Sequence, residues 1–466
     1  MIRTLALLFL LLSGIFSPLA ATLPAAISQL LTKDHIDPSR VSIYITPTKS
    51  TTALAEHRID EQRKPASVIK LATTYSALLE FGSGWRWPTR FFYTGTFRDG
   101  KITGDLVVKA YGDPTLSCKD LPKIVERLRR IGVREIEGDL LIDRSFFAVD
   151  DRISSGFDNH PYSEYNAMPD ALMFDDHLCR IVVDPAHGTV GKKIPDTGFR
   201  IVNRLQWTDK ACRGRYSWPK VRIGREGELT TVTLEGTLSR RCSLRRIDRV
   251  LSHPYQSFTA AFLKELAAGG ITLEGRMRLA GLPEGARELM THYAAPLQKI
   301  LAKTNKRSNN LYARHIFLLL GAKRLGAPAT VAKGRKAVRE ILGARGILGE
   351  ETILDNGCGL SRRTRTTARA LHRLLEDAYR RYAWTWMGTL AIAGVDGTVK
   401  RRFRNSPVRR HAWVKTGTLK DAKNIAGYVK GRSGKLYTVV ILYNGPERWK
   451  GALLQNQILE WIVKNK

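Results

Sequence analysis

The 466-residue sequence predicts a mixed α/β (α+β) fold. Both chain ends build one antiparallel sheet flanked by helices, around a mostly β insertion. Three observations predict it. An alternating run over 41–46, a partner run over 52–58 and a strong helical run open the chain. Three further strand runs, over 411–418, 424–430 and 436–444, close it ahead of a last helix over 450–463. Between them, from about Trp85 to Met290, short strand runs alternate with Gly, Pro and Asp turns.

Taken in order, 25–31 has helical periodicity. The helix that begins around Lys64-Pro65-Ala66-Ser67 stays apolar to Phe81, where Gly82-Ser83-Gly84 stops it. In the insertion, strands are predicted over 106–110, 139–143, 181–184 and 230–235, with helices over 121–131 and 255–268. Helical spacing returns over 296–301, 309–320, 329–342 and 367–381. The expected division is a leader over 1–21, a main domain of 22–84 with 291–466, an inserted domain of 85–165 with 255–290, and a second insert over 166–254.

Lys and Arg number 76 against 43 Asp and Glu, a net charge of +33. With 43% hydrophobic residues the chain is no disordered polycation. Such charge attracts nucleic acid, an anionic surface or an acidic polymer. The N-terminus narrows the choice. Arg3, the apolar stretch from Leu5 to Leu12, and Pro18-Leu19-Ala20-Ala21 read as a cleaved secretory signal peptide. Ser13, Gly14, Ser17 and Pro18 interrupt the run short of the roughly 20 residues that span a bilayer. An exported protein does not normally meet nucleic acid. The expectation is therefore a periplasmic chain, with no transmembrane segment after cleavage and anionic envelope polymers as partners for its basic clusters.

Five cysteines, Cys118, Cys179, Cys212, Cys242 and Cys358, allow at most two bridges. Four of them lie between 118 and 242, where pairing is expected, and Cys358 is the candidate free thiol.

Three short motifs carry chemistry. In Ser67-Val68-Ile69-Lys70, a spacing of three puts hydroxyl and amine on one helical face, close enough for proton exchange. A look-alike at Ser217-Trp218-Pro219-Lys220 has a proline inside the turn it would need. Ser308-Asn309-Asn310 opens a helix, where Ser and Asn also serve as ordinary N-caps. Lys415-Thr416-Gly417-Thr418 on a strand brings a cation and hydroxyl donors, with a glycine that lets a ligand approach the backbone. Its plainer reading is an edge strand guarded by lysine.

In this order the motifs are the signature set of serine penicillin-binding proteins and β-lactamases. With Gly112-Asp113-Pro114-Thr115-Leu116, Asn356-Gly357-Cys358-Gly359-Leu360-Ser361-Arg362 and Ile392-Ala393-Gly394-Val395-Asp396-Gly397-Thr398, the chain resembles penicillin-binding protein 4-like, class C low-molecular-mass enzymes. These form the D-alanyl-D-alanine carboxypeptidase/endopeptidase (S13-like) family. The resemblance covers essentially the whole mature chain and implies a β-lactamase/transpeptidase-like main domain. It implies Ser67 as nucleophile, Lys70 as its base, Ser308 as proton relay, Asn310 on the substrate amide and Lys415 beside Ser308. Thr416, Gly417 and Thr418 would meet the substrate, with the N–H groups of Ser67 and Thr418 as oxyanion hole. The implied partners are peptidoglycan stem peptides, with β-lactams as covalent inhibitors. No cofactor or metal is implied, and a homodimer is left open.

Two positions depart from the family pattern. Arg314 stands where an acidic residue is usual and is expected to alter helix-surface electrostatics; Cys358 replaces a serine and is expected to pack as a small buried residue. Asp158, Glu164 and Asp170 are acids of the insertion that would suit the amine of a peptide stem. The competing readings are a β-lactamase or esterase of the same mechanism, against which the large insertion argues, and a non-catalytic basic envelope-binding protein.

Overall fold

A computed structural model describes residues 23–148, 151–227 and 229–466. The signal-peptide reading of 1–21 lies outside them. After helix α1 (Ala25–Lys33), strands β1 (Val41–Pro47) and β2 (Ala55–His57) pair antiparallel. Helix α2 (Lys70–Phe81) follows, and the chain leaves for the insertion. It returns through α3 (Leu297–Lys306), α4 (Asn310–Leu325), α5 (Val331–Gly343) and α6 (Ala368–Met387). Strands β3 (Ala391–Ile392), β4 (Ala412–Leu419), β5 (Ala422–Lys430) and β6 (Leu436–Asn444) come next, and α7 (Arg448–Asn465) ends the chain.

The two chain ends meet in one six-stranded antiparallel sheet of order β3-β4-β5-β6-β1-β2. Its alternation decides the layers. Ile43, Ile45, Val414, Ile425, Val439 and Ile441 face α7, packing on Leu454, Ile458 and Ile462. Residues in the opposite phase, among them Ala426, Tyr428, Val440 and Leu442, face α2 and its neighbours. Burying each large aliphatic of this kind contributes up to about 1.5–3 kcal/mol. Lys415 has the phase of Trp413, so a lysine on a core strand points to the helical side.

Helix α2 is the hub of that side, and every residue from Lys70 to Leu78 is buried. Its polar members are satisfied internally: Thr73 Oγ1 donates to Gly357 O at 2.7 Å and Thr74 Oγ1 to Lys70 O at 2.7 Å. The sequence puts Ser67 in the first turn of this helix. Instead Ala66–Ile69 forms a 3-10 turn ahead of it. Ala66, just past Pro65, takes a left-handed φ of 50°, which an α-helix cannot continue.

The insertion contains a five-stranded and a four-stranded sheet, and two three-stranded sheets within residues 179–249. Helices Leu121–Ile131 and Pro254–Ala268 lie among them. One bridge forms where two were allowed, Cys212–Cys242. Cys179 is buried elsewhere, its sulfur 3.1 Å from Ser252 Oγ, and Cys118 sits against Asp175, so neither reaches a partner thiol. Cys358 is free and fully buried.

Candidate active site

Two hydroxyls, each with its own buried amine, form the centre of the cleft. The 3-10 turn presents Ser67, partly exposed, while Lys70 starts α2 with no exposure. Lys70 Nζ lies 2.8 Å from Ser67 Oγ, 2.7 Å from Asn310 Oδ1 and 2.5 Å from Cys358 O. Burial pushes the Lys70 amine down to about 8; the charge of Arg314 acts in the same direction and Cys358 opposes it. At neutral pH a usable fraction of this amine is unprotonated, as a proton acceptor requires.

The second pair is built the same way. Lys415 Nζ lies 2.9 Å from Ser308 Oγ and 2.7 Å from Thr416 O. Burial first, and then the charge of Lys70, holds the Lys415 amine well below the ordinary lysine range. In Ser308-Asn309-Asn310 the cap falls on the middle residue, while its neighbours approach the two lysines. Asn309 is the cap, accepting from Tyr312 N at 3.0 Å, which leaves Ser308 and Asn310 for the cleft. Ser308 itself has a left-handed φ of 58°. Asn310 is oriented at both ends, since its Nδ2 donates to Tyr165 O at 3.0 Å.

Thr416, Gly417 and Thr418 run along β4 beside this centre. Thr416 Oγ1 pairs with Thr398 Oγ1 at 2.7 Å, and exposed Thr418 accepts from Lys423 Nζ at 3.1 Å. The bare Cα of Gly417 lets the protein's own backbone come close. A Cβ there would stand 2.5 Å from Pro65 O and 3.0 Å from Val68 N. What approaches the strand is the serine turn of the protein itself. Gly359 closes the other side, where a Cβ would lie 2.0 Å from Ala66 O.

Several contacts were not evident from the sequence. The Cys358 carbonyl on Lys70 and the Tyr165 carbonyl on Asn310 are backbone groups, which side-chain motifs do not announce. Arg314 is a correction. It is buried, not on a helix surface, and donates to Ala167 O at 2.7 Å. Asp170 is also buried and is held by Arg144 at 2.5 Å, so it is no free acid for a ligand. Among the described residues no three His, Cys, Asp or Glu side chains are grouped to hold a metal.

A serine hydroxyl against a desolvated lysine, at the junction of an antiparallel sheet and a buried helix, is the equipment of serine acyl-transfer enzymes that use lysine as base. The chain belongs to the D-Ala-D-Ala carboxypeptidase 3 (S13) family, whose pattern matches residues 23–465. It is 26% identical over 396 residues to the D-alanyl-D-alanine carboxypeptidase DacB of Haemophilus influenzae, covering 82% of this chain and 80% of that one. Identity to the D-alanyl-D-alanine carboxypeptidase of an Actinomadura species is 29% over 394 residues, covering 81% and 72%. The crystal structure of penicillin binding protein 4 (dacB) from Haemophilus influenzae has the same fold. It superposes with a TM-score of 0.77 at 23% identity, over 93% of this chain and 99% of that one. The same protein has been solved complexed with a novel β-lactam, TM-score 0.75 at 22% identity over 95% of this chain and 100% of that one.

Proposed function

We propose that the chain is a penicillin-sensitive serine D-alanyl-D-alanine carboxypeptidase, with endopeptidase action on cross-linked stems at the same site. Neutral Lys70 takes the proton of Ser67 as Oγ attacks the carbonyl between two D-alanines. The N–H groups of Ser67 and Thr418 stabilise the oxyanion, a term worth a few kcal/mol. Ser308, beside Lys415, passes a proton to the departing D-alanine amine, and water then hydrolyses the acyl-enzyme. Asn310 orients Lys70 and meets the substrate amide. Lys415, Thr416 and Thr418 receive the terminal carboxylate, with Gly417 keeping that strand against the serine turn.

The observation that carries this reading is the 2.8 Å contact between Ser67 Oγ and a lysine held near neutrality by burial. Family membership supports the substrate class, and the β-lactam complex of a relative supports covalent inhibition by such compounds. No described helix is long and apolar enough to cross a membrane. The signal-peptide reading of residues 1–21 supports a periplasmic enzyme whose basic surface meets anionic envelope polymers. The test is D-alanine release from a pentapeptide stem by wild type and Ser67→Ala. Release lost in the variant is expected. Rapid β-lactam turnover without D-alanine release contradicts the peptidase reading.

A further inference from the structure

The helix that supplies Asn310 also carries a buried cation with no carboxylate partner among the described residues. Arg314, one turn further along α4, is 7% exposed. Its Nη1 donates to Ala167 O at 2.7 Å and lies 3.5 Å from Met168 Sδ; among the described residues no acidic side chain pairs with it. A guanidinium stays protonated in a protein, and a buried charge without a counter-ion is costly.

Arg314 lines a cavity of about 610 Å³, within the range of small-molecule sites. Met168, Phe317, Leu318 and Val331 give it apolar walls. Among the described residues the one acid on the wall is Asp355; it is engaged by Arg363 at 2.8 Å and by Arg335 at 3.6 Å, so it does not serve Arg314. Asn356 joins this wall to the catalytic floor. Its Oδ1 accepts from Cys358 N at 3.2 Å, and the Cys358 carbonyl in turn accepts from Lys70.

We infer that this cavity is a binding site for a carboxylate borne on a short apolar body, with Arg314 as its ion-pair partner. A planar guanidinium matches a carboxylate in charge and geometry, and the walls match a short alkyl group. The carboxylate has two sources, a free D-amino acid such as released D-alanine or an acylated residue of a peptide.

Occupancy has a consequence for the cleft, a second step that rests on the acyl-enzyme reading. The charges that act on Lys70 include Arg314, which lowers its pKa, and Cys358, which raises it; Lys415 shares the cleft. A carboxylate on Arg314 cancels the first of these. The Lys70 amine then titrates higher, and acylation of Ser67 needs a higher pH.

The experiment is calorimetric titration of the full mature chain with butyrate, propylamine, D-alanine and N-acetyl-D-alanine. The same titrations are made on Arg314→Gln and on Ala332→Trp, which fills the cavity and leaves Arg314 in place. Penicillin labelling of each variant reports an intact Ser67 site. Saturable butyrate binding, no propylamine binding and at least tenfold weaker binding in both labelled variants are expected. D-alanine binding like butyrate identifies a free amino acid, and N-acetyl-D-alanine alone identifies an acylated one. No saturable butyrate binding to wild type, or undiminished binding in both variants, overturns the site. Binding that leaves the pH profile of labelling unmoved overturns the coupling and keeps the site. Failure of the peptidase reading shows separately, as absent D-alanine release.

Discussion

Lys415 Nζ donates to Ser308 Oγ at 2.9 Å from a position with no exposure. The second hydroxyl of the cleft therefore has its own amine, as Ser67 has Lys70. Two lysines in one buried cleft repel, and both lose proton affinity through burial. Burial and mutual repulsion thus weaken the hold of both amines on their protons.

If Ser308 relays a proton to the leaving amine, Ser308→Ala removes the relay and leaves Ser67 and Lys70 in contact. D-alanine release is expected to fall about 10²–10⁴-fold, the usual worth of positioned acid–base catalysis. Lys415→Met should fall at least as far. Steady-state release assays check both; a Ser308→Ala enzyme within threefold of wild type removes Ser308 from the mechanism.

The lowered pKa of Lys70 sets a pH dependence. The acylation rate constant should climb as the amine loses its proton, with a midpoint near 8. The same shift bears on stability. Lys70 titrates near 8 when folded and near its ordinary 10.5 when unfolded. Between those values the unfolded chain binds the extra proton, so the penalty this amine places on folding fades as pH rises from 8 to 10.5. Thermal melts of wild type and Lys70→Met over that window should move relative to each other in favour of wild type. A constant difference would mean the amine is not depressed.

Gly359 has a φ of 80°, and a Cβ on it would lie 2.0 Å from Ala66 O and 2.9 Å from Ile69 Cγ2. Both contacts are in the turn that presents Ser67. Gly359→Ala should therefore displace the serine and cost stability, on the order of 1–3 kcal/mol for a strained backbone position. Labelling by fluorescent penicillin, with a thermal melt beside it, measures both effects. Normal labelling rates would show that this contact does not set the geometry.

Much of this was legible in the sequence, for identifiable reasons. The strand 436–444 and the helix 121–131 match Leu436–Asn444 and Leu121–Ile131 because both have clean periodicity bounded by turn residues. The contact expected between Ser67 and Lys70 forms even though the turn is 3-10, because residues three apart share a face in either helix. Arg314 misled because charge normally marks an exposed face, whereas here the Ala167 carbonyl receives it inside. The close packing of Gly417 on the serine turn was not legible for a similar reason. Sequence shows that a backbone can be approached, but the tertiary fold decides what approaches it. The single bridge is of the same kind, since spacing cannot tell Cys212 from Cys179 as the partner of Cys242.

Cys212 and Cys242 lie 30 residues apart, and both pack in the core of the inserted β region. Loop-closure entropy puts the bridge at about 3–4 kcal/mol. Cys212→Ser with Cys242→Ser should lower the melting temperature while penicillin labelling of Ser67 persists at temperatures below the melt. Loss of labelling in a folded double variant would show that the insert shapes the cleft.

The central claim is that Ser67 is acylated through Lys70. The direct measurement is peptide mapping by mass spectrometry after brief exposure to benzylpenicillin, on wild type, Ser67→Ala and Lys70→Met. One penicilloyl adduct is expected on the peptide containing Ser67 in wild type, none in Ser67→Ala, and acylation slowed at least a hundredfold in Lys70→Met. An adduct on another residue, or undiminished acylation in either variant, contradicts it.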